Sequence, residues 1–199
     1  MFDTVEQTLS LYLMPSDSAP QLLPNHITQL RCGLGWDAQG ETELDLDMAV
    51  LALADNGKLV DGQADVIYAG HPRHQSGAIQ LLNDSITGEG DGDDEQLLIR
   101  LLALPTEITK LLFVVTIDCG EEQQQDFRQA ENAFWRIFDK TSRRVLLRCS
   151  LSNPQWQGVT LLLIATLERV EAQWRLVPCL AASQFHTLNE LLHEYYVPD

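Results

Sequence analysis

Hydrophobic and polar residues alternate along much of this chain, and this period of two constrains its fold more than any other feature. The alternation runs through residues 28–34, 44–50 and 145–151 and is typical of strands with one buried face. Residues 97–104, 111–117 and 159–167 are apolar on both faces and rich in branched side chains, which favours strands covered on both sides. Weaker strand candidates are residues 8–13, 65–69, 77–82, 132–138 and 172–180.

About ten short strands predict a mainly β chain that folds as a two-sheet β-sandwich. Only residues 121–131 and 186–196 have helical spacing, and the second of these predicts a C-terminal helix packed over a sheet. Residues 15–25 are expected to form a long surface loop. Because no internal repeat and no linker divides the chain, we expect a single domain over residues 1–199.

Acidic residues outnumber basic ones by 29 to 13, which gives a formal net charge of −16. Such a chain repels nucleic acid and anionic membranes overall, so a cationic partner is favoured. Residues 32–99 hold 14 acids and two bases, a local balance of −12, whereas residues 128–148 hold six bases and two acids. The basic segment is either a mixed solvated face or a docking patch for an acidic partner or phospholipid.

The four cysteines form no CxxC pair, and each lies in an apolar stretch, so we expect reduced, buried thiols and a cytoplasmic protein. The acidic N-terminus and the absence of a long apolar run also favour the cytoplasm over a signal peptide or membrane span.

Residues 83–95 (NDSITGEGDGDDE) contain six carboxylates and three glycines but no base. Carboxylates packed this closely repel one another, and their oxygens with a flexible backbone favour a bound cation, calcium before magnesium. Asp45 and Asp47, two positions apart, should share one face of a strand and complete a shell of six to eight oxygens. The spacing does not fit an EF-hand, because Asp94 stands where the loop glycine is required. The alternative is a solvated acidic surface.

Three of these segments, in order, resemble the TerD family of tellurium-resistance and stress proteins: residues 33–37 (GLGWD), 45–47 (DLD) and 87–95 (TGEGDGDDE). Further similarity at residues 113–118, 132–136 and 195–197 extends the resemblance over about residues 27–197. The resemblance implies a cytoplasmic, bacterial, calcium-binding β-sandwich with no established catalytic activity. It also implies partners among other proteins of a tellurite- or stress-resistance complex, and it leaves open whether that complex is associated with the membrane.

Carried over by position, the family's calcium-binding segments fall on nine residues of this chain. They are Asp45, Asp47, Asp84, Thr87, Glu89, Asp91, Asp93, Asp94 and Glu95. Ser85 replaces the asparagine that is common in the family, and residues 181–186 replace a glycine-rich stretch. These departures indicate a divergent paralogue, to which the family's partner surface does not transfer automatically.

Other motifs are set aside on chemical grounds. Gly33-x-Gly35-x-x-Ala38 imitates a dinucleotide fingerprint, but acids follow it and no helix begins there. Trp36 is expected to be a core anchor beneath the acidic loops. His71, His74 and Ser76 are interpreted as ordinary surface or turn residues.

The sequence therefore predicts a calcium-binding, non-enzymatic interaction module whose metal-ordered acidic loops present a surface to a partner. Two alternatives stay open: a membrane module similar to C2 domains, with direct lipid binding disfavoured by the charge, and a metal-dependent phosphohydrolase. The acidic segments contain no His or Lys that could act as a base or phosphate clamp, which counts against the hydrolase.

Overall fold

A computed structural model describes residues 19–37, 44–83 and 92–196. It confirms the mainly β sandwich: two antiparallel sheets, two short 3₁₀ turns (Gly62–Asp65 and Leu101–Ala103) and a C-terminal helix α1 (Leu188–His193). The strands are β1 (Gln21–Leu22), β2 (Gln29–Asp37), β3 (Leu46–Leu53), β4 (Val66–Ile67), β5 (Ile79–Asn83), β6 (Glu95–Arg100), β7 (Lys110–Ile117), β8 (Glu131–Asp139), β9 (Val145–Ser150), β10 (Leu161–Val170) and β11 (Gln173–Ala182).

One sheet has six strands in the order β1-β11-β10-β7-β3-β4, and the other has five in the order β5-β6-β2-β8-β9. Alternate side chains of each sheet point inward, as the period of two requires. The rings of Phe113 on β7 and Trp135 on β8 meet between the sheets, 5.2 Å apart and fully buried. This inner layer is the main core.

A second apolar layer lies on the outer face of the six-stranded sheet, where α1 packs. Leu191 and Leu192 of α1 are buried there with Leu112 of β7 and Leu163 of β10. The helix explains why β7 and β10 are apolar on both faces, as predicted. The predicted C-terminal helix is confirmed, although it is shorter than the predicted range 186–196. Thr187 caps its N-terminus by accepting a hydrogen bond from the Glu190 N–H.

Several expectations were wrong in detail. Residues 121–131 form turns and the start of β8 instead of a helix. The apolar stretch 97–104 leaves the strand at Arg100, and Leu102 in the following turn is 85% exposed. Part of the expected loop 15–25 is β1, which pairs with β11. The strand proposed for residues 8–13 lies outside the described residues.

The cysteines are unpaired, as expected, but Cys119 is exposed and Cys179 is only partly buried. The apolar flanks of Cys119 belong to β7, which ends at Ile117, so the cysteine falls in the solvent-facing turn that follows. Within the described ranges, no helix is long and apolar enough to cross a membrane.

Candidate functional site

Trp36, near the end of β2, connects the bases of the two predicted acidic segments. Its side chain is 2% exposed, and its indole N–H donates a hydrogen bond to the Leu44 carbonyl oxygen at 2.9 Å. Its backbone N–H donates to Oδ2 of Asp94 at 3.0 Å. One buried ring thus fixes the chain beside both acidic segments, which confirms its prediction as a core anchor.

Gly33 and Gly35 leave room on the outer face of the five-stranded sheet for the end of the acidic segment. A Cβ atom on Gly33 would lie 2.2 Å from Cγ of Asp93, and one on Gly35 would lie 2.6 Å from the backbone oxygen of Gly92. Both glycines lie in β2, and neither has a positive φ. The two glycines therefore provide space. The motif that imitates a dinucleotide fingerprint is the part of β2 against which residues 92–93 pack.

Asp93 is held on that outer face by Arg136 of β8. The guanidinium donates from Nε to Oδ1 at 2.8 Å and from Nη2 to Oδ2 at 2.9 Å. The Asp93 side chain is 2% exposed and that of Arg136 is 33% exposed. Two parallel charge-assisted hydrogen bonds make this a strong, directional pair. Both oxygens of Asp93 are engaged, so this predicted ligand anchors the acidic segment to the sheet.

Asp94 follows Asp93 and lies between the two acidic segments. Its backbone N–H donates to the Leu34 carbonyl oxygen at 2.8 Å, which fixes the direction of its side chain. Partial burial raises the pKa of Asp94, and the nearby carboxylates of Asp93 and Asp37 raise it further, against the opposing hydrogen bond from the Trp36 N–H. A carboxylate that is crowded by like charges favours a neutralising cation.

Asp37 is the last residue of β2 and begins the first acidic segment. Its Oδ2 accepts a hydrogen bond from the Asn132 side chain at 2.5 Å. Asp37 was not among the nine predicted ligands. Its position at the end of GLGWD, where the first acidic segment begins, could have indicated it as a candidate ligand. The structure brings its charge close enough to affect Asp94.

Glu95 is fully buried between the sheets. Its Oε2 accepts a hydrogen bond from the Met48 backbone N–H of β3 at 2.7 Å. Because β6 and β3 belong to different sheets, this contact joins the two layers. Glu95 therefore supports the sandwich at this end, a role that the sequence did not predict.

Asp45 and Asp47 contact a different region, at the end of β7. The backbone oxygen of Asp45 accepts a hydrogen bond from the Asp118 N–H at 3.0 Å. Asp47 lines a cleft of about 340 Å³ on the outer side of the six-stranded sheet. Its other acidic lining residues are Asp118, Glu121 and Glu122. The cleft also exposes the thiol of Cys119, which donates a hydrogen bond to Asp118 that raises the pKa of the thiol.

The described residues thus divide the predicted ligand set. Among them, no three His, Cys, Asp or Glu side chains are arranged to hold a metal ion. Asp84, Thr87, Glu89 and Asp91 lie outside the described residues. Of the predicted ligands that are described, Asp94 lies near Asp37 of the other acidic segment. Asp93 is paired with Arg136, and Glu95 accepts a hydrogen bond from the Met48 N–H, next to Asp47. The calcium set accordingly stays a prediction.

His74 is buried, 1% exposed, and the expectation of a surface residue was wrong. Its Nδ1 accepts from the Ser76 N–H at 3.2 Å and lies 2.7 Å from the Ser76 hydroxyl, so Nε2 carries the proton toward Oδ1 of Asp65, 2.9 Å away. The order Ser–His–Asp imitates a hydrolase triad. However, the backbone N–H groups of Gly77 and Ala78 are already bonded within the turn, so neither is directed at a reacting oxygen. The contact joins the 3₁₀ turn that ends at Asp65 to the loop that carries His74.

Comparison with known proteins gives consistent results. Residues 21–195 match the family model described as TerD domain. The chain is 37% identical over 145 residues to the tellurium resistance protein TerD of Serratia marcescens, covering 72% of this chain and 74% of that protein. It is 33% identical over 182 residues to the stress response protein SCP2 of Bacillus subtilis, covering 85% and 90%. A solved homologue of the telluride resistance protein from Streptomyces coelicolor superposes with a TM-score of 0.71 over 86% of this chain and 99% of that chain. Its 19% identity shows a shared fold alone.

Proposed function

This chain belongs to the TerD family, and we propose that it is a calcium-binding, non-enzymatic interaction module of a bacterial tellurium- and stress-resistance system, acting in the cytoplasm. The observation that carries the proposal is the convergence of Asp37 and Asp94 where the two acidic segments begin and end. Trp36 holds both segments at that place. Oxygen-only donors of this kind suit calcium, which takes six to eight such ligands.

In this proposal, Asp94 and Asp37 supply ligands together with the oxygen-bearing residues predicted from the sequence, Asp84, Thr87, Glu89 and Asp91. Asp93 and Glu95 support them. Both oxygens of Asp93 accept hydrogen bonds from Arg136, and Oε2 of Glu95 accepts one from the Met48 backbone N–H. Asp45 and Asp47 stay predicted ligands from the sequence. The ion would neutralise carboxylates that otherwise repel one another and would order the acidic segments for a partner protein.

The expected effect of calcium on stability is large enough to measure. An ion present at a hundred times its dissociation constant stabilises the folded state by about 2.7 kcal/mol per site. For a chain of this size, each kcal/mol raises the melting temperature by about 2–4 °C. Saturating calcium should therefore raise it by about 5–11 °C per site, less any free energy spent on ordering the segments.

The test is a thermal melt of chelator-stripped protein, titrated with calcium and with magnesium at fixed ionic strength. Asp94→Asn removes the negative charge of one proposed ligand, and Asp55→Asn makes the same charge change in an exposed turn beyond the far end of β3 from the acidic segments. We expect calcium to act at much lower concentration than magnesium, and Asp94→Asn to weaken the response while Asp55→Asn leaves it unchanged. Equal, weak responses to both ions would contradict the proposal and indicate that the acidic segments are a solvated surface.

A further inference from the structure

We propose that the outer face of the five-stranded sheet binds a carboxylate-bearing segment of a partner polypeptide, and that Arg148 is its principal contact. The face, called here the Arg–Phe face, consists of Arg31, Phe134, Arg136, Phe138 and Arg148. The inference deepens the proposed function by giving the interaction a surface. It rests on the interaction role but does not require calcium.

Strand register brings these side chains together. On β8, Trp135 and Ile137 point into the core, so Phe134 and Arg136 point outward. Arg136 lies directly opposite Arg148 of β9 in the strand pairing. Arg31 of β2 lies opposite Phe138 in the next outward row. Bases and rings from three adjacent strands thus form one continuous face.

The aromatic rings hold the arginines against the sheet. Cζ of Arg148 lies 4.3 Å from the centroid of the Phe134 ring. Cζ of Arg136 lies 5.7 Å from that ring and 5.4 Å from the ring of Phe138. A guanidinium stacked on a ring keeps its N–H groups free for an anion and loses less side-chain freedom when the anion binds.

Arg136 shows what this face binds, because its ligand is the carboxylate of Asp93 from the same chain. Arg148 stands opposite it, stacked on the same ring and exposed. No carboxylate among the described residues lies within ion-pair distance of Arg148 or of Arg31, which donates instead to Gln96 at 2.8 Å. Arg148 therefore repeats the setting of Arg136 but has no described carboxylate partner.

The surroundings of Arg148 add positive charge. The turn between β8 and β9 carries three exposed bases, Lys140, Arg143 and Arg144. Its acid, Asp139, is buried and accepts hydrogen bonds within the turn, from the backbone N–H groups of Thr141 and Ser142 and from the Ser142 hydroxyl. The face is thus a basic patch on a chain of net charge −16.

A short acidic polypeptide fits this patch better than a nucleic acid or a membrane. The remainder of the chain repels an extended polyanion, whereas a local segment feels mainly charges within a Debye length of about 8 Å at physiological salt. Val145, 45% exposed and opposite Phe138, offers apolar contact beside the arginines. We therefore assign the face to a segment that combines carboxylates with apolar residues.

The test is fluorescence anisotropy with a labelled synthetic peptide in which Glu and Val alternate, and with the same peptide carrying Gln in place of Glu. The variant is Arg148→Gln. The matched control is Arg175→Gln, which removes the same charge from an exposed arginine on β11 of the other sheet, where it pairs with Glu168. Thermal melts confirm that both variants fold.

We expect the Glu peptide to bind and the Gln peptide not to bind. Loss of one charge-assisted hydrogen-bonded pair should weaken binding about tenfold in Arg148→Gln, and Arg175→Gln should change it less than twofold. Equal weakening by both variants, or no binding to the unmodified protein, would overturn the proposal. Tighter binding of a DNA oligonucleotide or of phosphatidylserine vesicles, lost in Arg148→Gln, would reassign the face to phosphate.

Measurements in chelator and in calcium separate this proposal from the calcium site. Peptide binding that persists when the calcium melt shows no response supports the Arg–Phe face alone. A calcium response without peptide binding supports the metal site and overturns the docking proposal.

Discussion

Replacing Gly33 with Ala tests whether the glycines of β2 exist to admit the acidic segment. The added methyl group would lie 2.2–2.4 Å from the carboxylate atoms of Asp93, far inside van der Waals contact. The backbone of Gly33 suits any residue, because its φ is not positive. The cost should therefore come from pushing the Asp93 side chain away from Arg136.

The size of this cost follows from the two hydrogen bonds lost, 2.8 and 2.9 Å long. Disrupting a buried ion pair costs about 3–5 kcal/mol. Arg136 is one-third exposed, so water compensates part of that loss, and we expect about 2–3 kcal/mol. For a chain of this size, the melting temperature should fall by about 4–12 °C. Urea unfolding followed by circular dichroism measures the free energy directly.

A double-mutant cycle provides the control. Asp93→Ala removes the carboxylate, so adding Gly33→Ala to it should cost almost nothing. Gly35→Ala is the contrasting variant, because its methyl group would lie 2.6 Å from the backbone oxygen of Gly92 and 2.7 Å from the Phe134 ring. Asp93→Ala should not relieve that clash. If the effects of Gly33→Ala and Asp93→Ala add within about 0.5 kcal/mol, the reasoning is refuted.

Three further predictions concern stability. Asp65→Ala leaves a buried N–H of His74 without its acceptor and should lower the free energy of unfolding in urea by about 3 kcal/mol. Asp65→Asn keeps an acceptor and should lower it less. Equal losses in the two variants would refute the contact. Thr187→Ala removes the N-cap of α1 and should cost about 1 kcal/mol in urea unfolding, so an unchanged midpoint would contradict the capping geometry. The Ser142 hydroxyl and two backbone N–H groups lower the pKa of Asp139. Its stabilisation is therefore present above the unfolded pKa near 3.9 and is lost as the pH falls through the folded value. Asp139→Asn should cost about 1 kcal/mol at pH 7 and little in acid; a pH-independent difference would contradict this.

Local patterns predicted most of the fold because strand alternation depends on neighbouring residues alone. Residues 44–50 and 145–151 alternate and became β3 and β9. The stretch 121–131 was misjudged because its polar residues carry no clear period. Its one fully buried ring belongs to Phe127, whose backbone N–H donates a hydrogen bond to the oxygen of Val159. The two residues are far apart in the sequence, so the spacing of neighbouring residues does not predict this contact.

The candidate site was predicted by residue type and only partly by role. Acidic density marked two segments, and the structure brings Asp37 of one near Asp94 of the other. The size of Trp36 indicated its burial, which the structure confirms. The ion pair of Asp93 with Arg136 spans 43 positions and depends on which strands become neighbours. The same is true of Glu95, whose acceptor role appears only when β6 faces β3 across the sandwich. Long-range pairing, which a single sequence does not reveal, gives these two predicted ligands their contacts within the protein.

Among the described residues, the strands at the edges of the six-stranded sheet have consequences for self-association. β1 and β4 have two residues each, Gln21–Leu22 and Val66–Ile67. An edge strand exposes unpaired backbone groups that can template the strand of another molecule, and short edges offer few of them. In addition, Gln21 donates its side-chain amide to the carbonyl oxygen of Leu146 on β9, 2.7 Å away, and so occupies a backbone acceptor on an edge of the other sheet. This part of the sandwich should therefore resist edge-to-edge aggregation when stress crowds partly unfolded chains together.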